Sequence, residues 1–108
     1  MEFAQIIYAV TLAEYLNFSR AAAKLFITQP TLSQQIRRLE SDLGFPLFRR
    51  NTKKVELTEA GEVFINEARD LVSSYWHLEN TCNEISSAYK DKVSFGISIS
   101  SYLTLQKT

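Results

Sequence analysis

FSRAAAKLFITQPTLSQQIRRLESDLG, residues 18–44, is the stretch on which the fold turns. Ser19 is a good N-cap, since its hydroxyl can accept from an unpaired N–H of the first turn, and the spacing predicts a helix over about residues 20–26. The Ala21-Ala22-Ala23 run is small enough for a neighbouring helix to approach closely. Ile27 and Thr28 interrupt the pattern, and Thr28 or Gln29 can cap a further helix with Pro30 in its first turn, where a missing N–H costs nothing. That helix should end at about Leu43, with Gly44 as its left-handed stop. Two helices joined by a turn of about three residues make a helix-turn-helix.

Working outward, Phe3, Ile6, Ile7, Val10 and Ala13 follow helical spacing and predict a first helix packed on the pair. Downstream, residues 45–49 and the alternating Val55-Glu56-Leu57 are strand candidates, joined by the basic loop of residues 50–54. A basic-tipped hairpin after a helix-turn-helix is a wing. Thr58 then opens a long helix, with Glu59 at its positive end. Phe64, Ala68, Leu71, Tyr75, Leu78, Cys82, Ile85 and Tyr89 recur at alternating spacings of four and three, a heptad seam suited to dimerisation. At about 1.5 Å per residue the helix would run roughly 48 Å, too far to bury its stripe against one small domain. Val93, Phe95, Ile97 and Ile99 alternate with polar or small residues and predict a strand. The expected organisation is residues 1–57 as a mainly α winged helix-turn-helix, 58–89 as a linker and dimerisation helix, and 90–108 as the first strand of a truncated effector-binding domain.

Charge narrows the chemistry. The whole chain balances 12 basic against 12 acidic residues. Residues 20–54, however, hold eight basic side chains and only Glu40 and Asp42 as acids, a surplus of six. Such a basic region between acidic flanks suits DNA as well as it suits a solvated surface. On a helical wheel Leu32, Ile36, Leu39 and Leu43 face the core, which leaves an opposite face free of acids at its N-terminal end. Gln29, Pro30, Thr31, Ser33, Gln34 and Arg37 are the candidates for base contacts: an amide can pair with adenine, a guanidinium with guanine, and apolar atoms with a thymine methyl. Arg20, Lys24, Thr28, Arg38, Arg49, Arg50, Lys53 and Lys54 are the candidates for phosphate contacts, which position the protein without reading sequence. Each group also has a plainer reading as polar helix surface or solubilising lysines.

Other chemistry finds little support. One His and one Cys do not make a metal-ligand set or a disulfide. His77 lies off the seam with no Asp or Ser partner suggested by spacing; Cys82 on the seam reads as a small packing residue. There is no phosphate-binding glycine loop or nucleophile elbow, so no catalytic residue is assigned and no enzyme activity is expected. No apolar run is long enough for a membrane span.

The residues 18–25, 29–33 and 36–40, followed by Leu43-Gly44-Phe45-Pro46-Leu47-Phe48-Arg49-Arg50 and Leu57-Thr58-Glu59-Ala60-Gly61, resemble the DNA-binding motif of LysR-type transcriptional regulators over residues 1–65. The resemblance implies a cytoplasmic bacterial regulator of transcription whose partners are double-stranded DNA, a second copy through antiparallel linker helices (often four copies in the full-length protein) and RNA polymerase. It also implies a small-molecule effector for the full-length protein, with no cofactor in this region and no membrane partner. Helix three and the wing would then read an inverted-repeat operator. The alternatives that stay open are a winged helix of another regulator family and a protein-interaction module whose long helix oligomerises.

Overall fold

The computed structural model describes residues 1–95. The element order is α1 (Phe3–Tyr15), α2 (Phe18–Lys24), α3 (Gln29–Leu43), β1 (Phe48–Arg50), β2 (Val55–Leu57) and α4 (Glu59–Phe95). This is the expected mainly α winged helix-turn-helix with a two-stranded wing and a long final helix. Residues Met1–Val72 form one compact unit and a second begins at Ser73, so the first turns of α4 belong with the winged helix, beyond the expected boundary at residue 57.

The core explains that extension. Leu12, Leu32, Ile36, Leu39, Leu47 and Ile65 are fully buried, so α1, α3, the approach to the wing and the start of α4 share one apolar interior. Ala21 and Ala22 are buried too, and their small side chains let α2 lie close to its neighbours. In α1 the buried face is Ile6, Ala9, Leu12 and Ala13, rotated from the predicted stripe; Ile7 and Val10 are only half-buried.

The turns are satisfied locally. Leu16 closes α1 in the left-handed conformation, and its N–H donates to the Leu12 carbonyl at 2.7 Å. Asn17, not Ser19, caps α2: its Oδ1 accepts from the Arg20 N–H at 2.9 Å while Ser19 donates to Gln29 Oε1 at 2.9 Å. The helix therefore starts earlier than the predicted residue 20, and it stops at Lys24 because Phe26 takes a left-handed φ of 58°. A side chain in that conformation crowds the following carbonyl at a cost of roughly 1–2 kcal/mol. Thr28 caps α3 by accepting from Thr31 N–H at 3.3 Å, and Gly44 ends it at φ 84°, both as expected.

The wing begins later than residues 45–49 suggested. Pro46 has no N–H to give, and the N–H groups of Leu47 and Phe48 donate to the Glu40 carboxylate at 2.7 and 3.1 Å. Pairing is antiparallel, with Phe48 opposite Leu57, Arg49 opposite Glu56 and Arg50 opposite Val55. Thr58 then caps α4, its Oγ1 accepting from Gly61 N–H at 2.8 Å and donating to the Pro46 carbonyl at 2.7 Å.

The C-terminal expectation fails in part. Val93, Ser94 and Phe95 continue α4 instead of opening a strand, so the helix also outruns the expected end at Tyr89. Among the described residues no third strand is present to pair with such a segment, and a helix bonds its own backbone without one. Residues 96–100 of the predicted strand lie outside the described residues, as does the rest of the expected 90–108 domain.

Candidate nucleic-acid interface

The acid-free face of α3 is open to solvent. Gln29, Pro30, Thr31, Gln34 and Arg37 are all exposed, and Ser33 is half-buried. Thr28 and Thr31 are joined by a 2.7 Å hydroxyl–hydroxyl bond that orders the first turn. Ser19 holds the Gln29 side-chain oxygen, which leaves the amide nitrogen as the Gln29 group for an outside acceptor. Arg38 is exposed beside them.

The wing comes to the same side. Asn17, Ser19 and Gln29 line an open cleft of about 250 Å³ with Asn51, Thr52 and Lys53. The hairpin tip is ordered by Asn51, whose Oδ1 accepts from the Lys53 N–H at 2.9 Å. Asn17, Asn51 and Thr52 were not among the sequence candidates; the only trace of them is a short polar residue at a cap and at a hairpin tip. Lys53 and Arg49 are exposed. Lys54 is also exposed but pairs with Glu56 at 2.9 Å, a bond that raises the lysine pKa and lowers that of the carboxyl.

Arg50 differs from the other wing cations. Its guanidinium donates to Glu40 Oε1 at 3.2 Å and to Ser33 Oγ at 3.4 Å, and lies 4.9 Å over the Phe18 ring. Burial pushes its pKa below the ordinary arginine value, against the pull of Glu40, and the charge of Arg37 adds to the lowering. The geometry therefore commits Arg50 inward, tying β1 to α3 and α2, where the sequence suggested a phosphate contact. Glu40 is the residue that sequence reasoning missed: one carboxylate accepts from Leu47, Phe48 and Arg50 and sets the wing against the recognition helix. Its signal was available, since it is one of only two acids in residues 20–54.

Arg20 and Lys24 are exposed on α2 but do not line the cleft; they border a separate depression with Tyr15, Ala23 and Phe26.

The seam residues divide. Phe64 packs against the core and Ala68 is buried, while Leu71, Tyr75, Leu78, Cys82 and Tyr89 are exposed and Ile85 is half-buried. Tyr75 donates to Glu79 at 2.8 Å and meets Trp76 edge-on at 5.0 Å between ring centroids. His77 is exposed. Among the described residues no group of three or more His, Cys, Asp or Glu side chains could hold a metal, and no helix is long and apolar enough to cross a membrane.

Comparison with known proteins gives one consistent result. Residues 3–62 match the family described as bacterial regulatory helix-turn-helix protein, lysR family. The chain is 56% identical over 68 residues to the HTH-type transcriptional regulator BudR of Klebsiella aerogenes, covering 63% of this chain and 48% of that protein. It is 52% identical over 68 residues to the hca operon transcriptional activator HcaR of Escherichia coli, covering 63% of this chain and 23% of that protein. Among solved structures, the BenM DNA-binding domain in complex with catB site 1 DNA superposes with a TM-score of 0.77 at 37% identity, covering 81% of this chain and 98% of that one. The CbnR DNA-binding domain–DNA complex gives 0.73 at 34% identity, covering 80% and 99%. The chain thus spans less than half the length of these two regulators and nearly all of the DNA-binding domains.

Proposed function

Because the chain belongs to the lysR family of bacterial regulatory helix-turn-helix proteins, we propose that it is a sequence-specific DNA-binding regulator of transcription, acting as a homodimer in the bacterial cytoplasm. The observation that carries this reading is the exposed, acid-free face of α3 beside a basic wing, on a fold shared with domains solved on DNA. Gln29, Pro30, Thr31, Ser33, Gln34 and Arg37 meet base edges, with Gln34 and Arg37 as the sequence-reading pair. Thr28, Arg38, Arg49, Lys53 and Lys54 meet phosphates. Two recognition helices in successive major grooves require an inverted repeat with half-sites roughly 34 Å apart. In the full-length protein a small-molecule effector tunes this binding, and RNA polymerase is the partner through which it acts.

Selection from a randomised duplex pool tests the reading: enrichment of an inverted repeat is expected, and retention without enrichment would reduce the chain to a non-specific binder. On the selected site, Arg37→Ala should cost about 1–3 kcal/mol and relax preference at one base position, while Lys53→Ala should weaken all sequences alike and lower the salt slope by about 1. Equal losses on specific and random DNA for Arg37→Ala would remove it from base reading.

The exposed seam carries the dimer. A chain with Leu71→Glu and Leu78→Glu should sediment as a monomer, because two apolar seam positions would then bring carboxylates together. An intact dimer would place the interface elsewhere.

A further inference from the structure

Ser19 carries a hydroxyl that its own helix does not use. Asn17 caps α2, its Oδ1 accepting from the Arg20 N–H, so Ser19 is free of the capping task that a serine commonly takes at a helix start. It donates instead across the turn to Gln29 Oε1 at 2.9 Å, joining α2 to the first residue of α3. A hydroxyl has one hydrogen to give, and with that hydrogen on Gln29 none is left for a phosphate oxygen. On the Gln29 side the bond fixes the two ends of an amide whose oxygen accepts and whose nitrogen donates. With the oxygen held toward α2, the side chain offers its N–H groups outward. Both residues are exposed, so in the free chain water competes for this bond. A duplex seated on α3 excludes that water, and an amide turned the wrong way then meets a base edge with unmatched groups, which costs far more than in solvent.

We propose that Ser19 is a positioning residue for base recognition: it holds Gln29 as a donor, so that the base under Gln29 is selected for its major-groove acceptors. Guanine N7 and O6 and thymine O4 accept without offering a donor in return. Pairing with adenine in two places also calls on the amide oxygen, which Ser19 already engages. The proposal rests on the function above, in which Gln29 meets a base edge, and adds that a residue touching no base sets which bases fit there.

The probes are the selected duplex and a random-sequence duplex of the same length, titrated at one salt concentration. Ser19→Ala leaves the α2 cap in place, so the thermal midpoint should hold and affinity for the random duplex should stay within about twofold. Affinity for the selected duplex should fall about fivefold. Repeating the pool selection with this variant should flatten the preference at one position of each half-site, with adenine gaining there, and leave the other positions as they were. Ser19→Thr keeps a hydroxyl donor and should restore the parent profile. In a Gln29→Ala background Ser19→Ala should cost nothing further, because the group it positions is gone. Equal losses on both duplexes would make Ser19 a phosphate contact or a structural residue and overturn the proposal. An unchanged selection profile, or a full loss that persists without the Gln29 amide, overturns it as well. A parent chain that selects no duplex brings down the functional reading itself, and this inference with it.

Discussion

Gly61→Ala is expected to destabilise the winged helix by about 3 kcal/mol, lowering the thermal midpoint by the order of 15 °C. The first turns of α4 pass so close to the chain leading into the wing that a β-carbon at Gly61 would overlap the Leu47 carbonyl oxygen and stand 2.9 Å from the Leu47 carbonyl carbon. The obstacle is backbone, so no rotamer change relieves it. That carbonyl also accepts from the Thr58 N–H at 3.0 Å, so moving it away disturbs the cap of the same helix, and Leu47 itself is fully buried. Replacing Gly by Ala inside a helix normally stabilises, by up to about 1 kcal/mol. The sign of the change is therefore diagnostic. Thermal unfolding followed by circular dichroism reads it, and an unchanged or raised midpoint would mean that α4 does not lie against the wing as described.

Glu40→Ala should cost about 3–5 kcal/mol and weaken DNA binding beyond the loss of folded protein. The substitution removes the acceptor of two backbone N–H groups and of a guanidinium whose side chain is only 24% exposed, and each loss leaves a poorly solvated donor behind. Glu40→Gln keeps the shape and one acceptor oxygen, so it should fall between the parent and Glu40→Ala. A double-mutant cycle with Arg50→Met isolates the pair: the single losses should exceed additivity by more than about 0.5 kcal/mol. Denaturant titrations give the stabilities. Additive losses would show that Glu40 acts on the Leu47 and Phe48 backbone alone. Because the same carboxylate links α3 to β1, duplex affinity measured well below the melting range should also drop, although Glu40 is not among the residues proposed to touch DNA.

These two residues mark where reading along the chain runs out. The helix-turn-helix, the Thr28 and Thr58 caps, the Gly44 stop and the apolar face of α3 are legible in order of residues, because caps, left-handed stops and helical periodicity are local rules acting over three or four positions. The acid-free face of α3 followed from the same periodicity. The family was legible too, since several short motifs stand in one order and spacing across residues 3–62. Local rules misplaced the α2 cap, where Asn17 and Ser19 are both competent and the contact of Ser19 with Gln29, ten positions away, resolves the choice. They misread Val93–Phe95 as a strand because alternation in sequence does not supply a partner strand. They counted Arg50 among the phosphate-binding cations because charge is visible in sequence and direction is not. Whether a guanidinium turns outward to a phosphate or inward to Glu40, Ser33 and Phe18 depends on what lies beside it after folding. The same holds for Gly61, an unremarkable helix residue until the Leu47 carbonyl arrives from a segment 14 positions earlier. Contacts between segments distant along the chain set these outcomes, because burial and the closing of specific hydrogen bonds are decided by three-dimensional neighbours that no local pattern encodes.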